Sequence, residues 1–251
     1  LEDEEKAGVD LQEKLGVKSI AEMRALPADS IIKVAHTMGN LRFAPIRDGS
    51  FLPVDLDKSF IEGKFNQVDF LGGWVTGDGA VLGNTKTTPE EFIKKINESY
   101  GKKAAKLLTL LPHGNAEEAS ASLMKMNLIN FGVLSPYRLS KYNSKRAYIY
   151  EFSHVPAAKP NFPDYGAFHT SEVPYALHTL HLWDRPWQHS DILLEEDMSK
   201  YWINFIRSGN PNGPSLPDWK TYHSGFSLEF GDSVQGKSNL YKDILEVLSS
   251  E

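Results

Sequence analysis

The spacing of two strand-like runs constrains this chain more than any other feature. Residues 67–72 (QVDFLG) form a short apolar run ending in paired glycines and read as a buried strand. Residues 146–152 (RAYIYEF) are rich in β-branched and aromatic side chains and are bounded by NSK before and SHVPAAKP after. The stretch between them is helical in pattern. Thr88, Pro89 and Glu91 open a helix whose Phe92, Ile93, Ile96 and Tyr100 share one face, and residues 102–111 extend it. Strands separated by so much helix predict an α/β layer architecture with large helical insertions. Two internal strands are too few for a complete doubly wound sheet.

The flanking segments are consistent with that reading. The first forty residues form short helices, with Ser19 and Glu22 spaced as a capping box and Pro27 at a first helical position. Residues 48–53 (DGSFLP) have turn chemistry. Residues 190–207 read as a helix with Leu194, Met198, Trp202, Phe205 and Ile206 on one stripe, acids near its start and Gly209 just beyond its end. After a break rich in proline and glycine, the alternation of Phe226, Leu228 and Phe230 predicts an edge strand, and YKDILEVLSS a terminal helix.

Composition excludes several functions. With 251 residues, 41% hydrophobic and 24% charged, the chain has material for one large domain or half of a larger one. A net charge of -6 with scattered basic residues argues against a nucleic-acid partner, which requires clustered cations to displace counterions. No apolar stretch reaches membrane-spanning length. Cysteine is absent, which removes disulfides and thiolate metal sites and leaves the compartment open. The lack of cysteine together with the compact loops leans the source toward bacteria; of the compartments left open, a secreted or periplasmic one is favoured.

Three segments, in order, resemble the second half of the type B carboxylesterase family, the group of the cholinesterases and para-nitrobenzyl esterases within the α/β-hydrolase fold. DGSFLP followed by GWVTGDG (residues 73–79) is similar to the family turn that presents the triad acid after a strand, with Asp78 where most members have Glu. YGAFHTSEVPY (165–175) is similar to the motif carrying the triad histidine, which implies His169 as base and Glu172 as a supporting acid three residues on. DMSKYWINFIRSGNPN (197–212), followed by Asp218 and Trp219, matches the most specific signature of the three. The resemblance implies that residues 1–251 are the C-terminal part of one carboxylesterase domain. No GxSxG elbow occurs in these residues, and neither does the glycine-rich oxyanion segment.

The implied chemistry is hydrolysis of a carboxylic ester by a serine, with His169 as general base and Asp78 holding its tautomer. The serine and oxyanion-hole amides come from the missing N-terminal half, so this chain alone is expected to be inactive. That half is the expected partner, with a homodimer or swapped assembly the outcome when it is absent. The alternative is a non-catalytic cholinesterase-like adhesion protein. No cofactor is implied. His178, His181 and Asp184 have metal-like spacing, but packing and local hydrogen bonds are the favoured use of that aromatic-rich segment. His154 and the tryptophans Trp183, Trp187 and Trp202 read as structural.

Overall fold

The computed structural model describes residues 2–39, 44–159, 161, 163–222 and 225–250. They divide into two compact units, residues 1–64 and 65–251. The first unit holds α1 (Glu2–Lys14), α2 (Ile20–Ala25), α3 (Ala28–His36) and α4 (Leu56–Ile61). Its small core joins Leu11 of α1 to Ala35 and Met38. The Ser19 hydroxyl accepts the Glu22 N–H at 3.2 Å, but the Glu22 carboxylate takes the amide of Lys18 instead of Ser19, so half of the expected capping box forms. Pro27 stands at the N-cap of α3, one residue earlier than expected. In the DGSFLP turn, one Asp48 carboxylate oxygen accepts the amides of Ser50, Phe51 and Leu52. These donors hold its carboxyl below the usual range.

The second unit is a four-stranded sheet covered on both faces. Its strands are β1 (Phe70–Val75), β2 (Ala147–Phe152), β3 (Phe226–Phe230) and β4 (Val234–Ser238), in spatial order β1-β2-β3-β4. The first three run parallel and β4 is antiparallel. Between β1 and β2 lie α5 (Pro89–Tyr100), α6 (Ala104–Leu110), α7 (Ala116–Leu128) and α8 (Leu134–Tyr142). Parallel neighbours need such a crossover. After β2 come the short α9 (Val173–Ala176) and the long α10 (His189–Ser208), and α11 (Lys242–Ser249) follows β4.

Strand alternation divides the side chains between two cores. Trp74 and Ile149 face a layer with Phe92, Ile96, Leu107 and Leu245. Val75, Tyr148, Tyr150 and Phe152 face the other way, toward Met198 and Tyr201 of α10. Every residue of β2 is buried, as expected for a central strand with both faces covered.

Three expectations need correction. The first strand is residues 70–75 and not 67–72, so the glycine pair lies inside it. A Cβ on Gly73 would sit 2.1 Å from the Tyr150 carbonyl oxygen, so the glycine marks a close approach of backbones and not a strand end. Only Trp74 and Val75 of this strand are fully buried. Secondly, β3 is internal. Its outer neighbour β4, VQGKS, is polar and mostly uncovered, so its sequence carries no apolar alternation. Thirdly, the α10 stripe omits Tyr201, which is fully buried, and includes Ile206, which is 78% exposed.

The helical expectations fared better. Thr88 and Glu91 form a complete capping box at the start of α5. Gly209 ends α10 in the left-handed region with φ 67°, where glycine carries no steric penalty.

Candidate active site

The C-terminal ends of adjacent parallel strands converge on one rim of the sheet, the usual place for a site in open α/β folds. Two residues beyond β1 stands Gly77, and then Asp78, which opens a short 3₁₀ turn (Asp78–Leu82). Asp78 is buried. Its Oδ2 accepts the Val75 N–H at 2.9 Å, which ties the carboxylate back to the strand it follows.

The glycines on either side of Asp78 are required by space. A Cβ on Gly77 would lie 2.1 Å from the Ala167 carbonyl oxygen, and one on Gly79 would lie 2.5 Å from the Met124 carbonyl oxygen. The turn is thus clamped between α7 and the loop that follows β2. That loop carries His169, whose Nδ1 lies 2.7 Å from Asp78 Oδ1. A carboxylate acceptor at Nδ1 selects the tautomer protonated there, which leaves Nε2 as the free base of the neutral ring. The imidazole is half exposed. The close approach of the turn explains how Asp, one methylene shorter than Glu, reaches the ring.

Backbone geometry beside the histidine is unusual. Thr170 has φ 71°, a region that β-branched residues seldom adopt and that clusters at functional sites. Glu172 lies alongside the pair but makes no hydrogen bond to either member among the described contacts. Its Oε1 is 3.5 Å from the Tyr150 hydroxyl, a long contact. Its Oε2 is buried without a hydrogen-bond partner. Burial pushes the Glu172 carboxyl above its usual value, and the nearby charge of Asp78 adds to this. Burial likewise raises the Tyr150 phenol.

The histidine loop is anchored at its far end. His154, just past β2, has Nε2 2.8 Å from Asp191 Oδ1, and the Tyr175 hydroxyl donates to the same oxygen at 2.5 Å. Asp191 also accepts the Gln188 N–H at the start of α10. This buried network pins α9, directly after Glu172, to α10, which is the structural role read for His154. Trp187 packs on Tyr175 and Trp202 on Tyr150, while Trp183 is partly exposed. Asp184 pairs with Lys159, and His178 lies 3.5 Å from Glu195. Among the described residues, no group of three or more His, Cys, Asp or Glu is arranged to hold a metal. No described helix is long and apolar enough to cross a membrane.

One contact was not read from sequence. The ring of Phe131 meets the His169 imidazole edge-on, with centroids 5.2 Å apart. A partly exposed aromatic residue in a helical run gives no sign of its partner in sequence.

Comparison with known proteins supplies the family. The family model described as the carboxylesterase family matches residues 5–245. The human bile salt-activated lipase is 27% identical over 195 residues, covering 68% of this chain and 26% of that protein. Its mouse counterpart is 28% identical over 235 residues, covering 84% and 37%. Among solved structures, a PNB esterase superposes with a TM-score of 0.74 at 20% identity, covering 98% of this chain and 53% of the other. A carboxylesterase of Geobacillus stearothermophilus superposes with a TM-score of 0.70 at 20% identity, covering 94% and 52%. The chain therefore spans about half the length of these structures and a smaller share of the curated relatives, and it shares the α/β-hydrolase fold with the former. With the match running through most of both compact units, the chain belongs to the carboxylesterase family.

Proposed function

We propose that this chain is the C-terminal portion of a serine carboxylic-ester hydrolase and supplies the acid and base of its catalytic triad, Asp78 and His169. The observation that carries this reading is the 2.7 Å contact between Asp78 Oδ1 and His169 Nδ1 at the ends of neighbouring parallel strands. It leaves the imidazole half exposed and its Nε2 able to accept a proton. Both compact units are read as parts of one esterase domain, because the family match runs across both.

In the reaction, Nε2 of His169 accepts the proton of a serine hydroxyl as its oxygen bonds to the ester carbonyl carbon. The carboxylate of Asp78 holds the Nδ1–H and stabilises the imidazolium. Backbone amides carry the charge on the carbonyl oxygen. The C–O bond to the alcohol then breaks and His169 returns its proton to the leaving alkoxide. Water repeats the sequence to release the acid. Glu172 supports the surrounding network and takes no proton in these steps.

The serine and the amides belong to the N-terminal half of the full protein. In support, β1 is paired on one side only among the described residues, and FLGGWV lacks the charges or proline that protect a free edge. The N-terminal half is the partner proposed for that edge. Without it, self-association is expected.

The test is hydrolysis of p-nitrophenyl acetate by this chain, by the full-length protein that contains it, and by its His169→Ala variant. The chain alone is expected to be inert, and the variant to lose about 10⁴-fold or more in kcat. A folded full-length protein without activity would overturn the proposal and favour the adhesion alternative.

A further inference from the structure

We propose that a π-turn between α7 and α8 positions the Asp78–His169 pair, with Gly132 making room for the carboxylate and Phe131 bracing the imidazole. The inference rests on the triad reading above. It assigns roles to two residues outside the triad and outside its recognised motifs.

The turn spans Ile129–Val133, and the Leu134 N–H donates to the Ile129 carbonyl five residues back. Such widened turns are rare and concentrate at functional sites. Its origin is visible in the sequence. Pro136 has no N–H to return to the Gly132 carbonyl four residues earlier, and its ring crowds that carbonyl in a regular helix.

Gly132 has no need of glycine's conformational freedom, since its φ is not positive. Helix propensity alone would favour alanine there. Space forbids it: a Cβ would fall 2.8 Å from Trp74 Cβ and 3.0 Å from Asp78 Oδ2. Trp74 has little freedom to give way, being buried with its indole N–H bonded to Glu151 at 2.8 Å. The carboxylate of Asp78 is then the group that moves. Its Oδ2 is the oxygen held by the Val75 amide, and its Oδ1 is the oxygen on His169. Displacing one oxygen swings the other.

Phe131, the residue before Gly132, acts on the other member of the pair. Its ring stands at 79° to the imidazole plane, an edge-on contact that restricts rotation of the half-exposed His169. The same turn therefore touches both residues. In the full-length protein, misplacement of the pair should reduce the chemical step and leave substrate binding unchanged.

The experiment compares kcat and KM for p-nitrophenyl acetate in full-length Gly132→Ala, Phe131→Ala, Phe131→Tyr and His169→Ala, and records the low-field proton resonance of His169 Nδ1–H. Gly132→Ala is expected to lower kcat by about 10²-fold, and Phe131→Ala by about tenfold, with KM unchanged. In both variants the low-field resonance should weaken or move upfield, and Phe131→Tyr should recover most of the rate lost in Phe131→Ala. If Gly132→Ala does not fold, the Phe131 pair decides alone. Wild-type kcat and an unshifted resonance in the folded variants, with His169→Ala inactive, would overturn this inference and leave the triad reading standing. An active His169→Ala enzyme would overturn both.

Discussion

At the scale of single residues, the contact between Asp78 and His169, the proposed acid and base, depends on how little space surrounds it. Asp78 reaches His169 because Gly77 lets the turn press against the Ala167 carbonyl. Lengthening the acid should therefore harm the pair, although Glu is the residue more often found in the resembling family. Asp78→Glu is expected to lower kcat of the full-length esterase by about tenfold or more, as an over-long side chain is forced off its productive geometry. Asp78→Asn, which preserves size but no longer fixes the tautomer, should cost about 10⁴-fold. Steady-state hydrolysis of p-nitrophenyl acetate by both variants checks the order. Glu172 makes a different prediction. Its folded carboxyl is raised above the ordinary 4.5, so the folded state holds its proton to higher pH than the unfolded chain. Its contribution to stability is present below that ordinary value and is lost as pH rises through the folded value. Glu172→Gln should thus flatten the melting temperature across that window and stabilise the protein above it. A melting profile against pH that the substitution leaves unchanged would contradict the burial argument. The contact between Asp78 and His169 could be anticipated because both residues sit in dense local motifs. Those of Phe131 and Gly132 could not, because what matters about them is a contact across the fold.

At the scale of elements, helices and central strands were readable to within a few residues where side chains repeat with a clear period. The capping box at Thr88 and the left-handed Gly209 fall where expected. Reading failed where glycine or polarity hid the period. The pair Gly72 and Gly73 resembles a strand end, yet Gly73 lies against the Tyr150 backbone. Likewise β4 carries Gln, Gly, Lys and Ser, and beside its backbone ladder its Gln235 and Lys237 reach the Glu229 carboxylate of β3, polar pairings that carry no apolar period. Gly73→Ala should therefore destabilise strongly, by about 3 kcal/mol or more, because the added methyl meets a carbonyl that belongs to the ladder. Gly209→Ala should cost about 1–2 kcal/mol, since it combines an unfavourable left-handed conformation with a clash. There a Cβ would lie 2.3 Å from the Asp69 carboxylate, which pairs with Arg146 at 2.6 Å. Denaturant unfolding of the two variants would rank them, and a milder effect at Gly73 than at Gly209 would contradict this account.

At the scale of the whole molecule, β1 is an uncharged strand paired on one side only among the described residues, and the proposed acid and base stand in a chain that has no GxSxG elbow. The α/β architecture was visible from the spacing of two strand-like runs, and among the described residues the third and fourth strands extend the sheet on one side only. The chain by itself should self-associate through the free edge of β1. Sedimentation showing a compact monomer that unfolds cooperatively would contradict that. The central claim is that residues of this chain activate a serine located elsewhere in the full protein. A fluorophosphonate probe, followed by mass-spectrometric mapping of the modified serine, tests it most directly. The account predicts a single labelled serine outside residues 1–251, with labelling abolished by His169→Ala. A label on a serine within this chain, or labelling indifferent to His169, would contradict it.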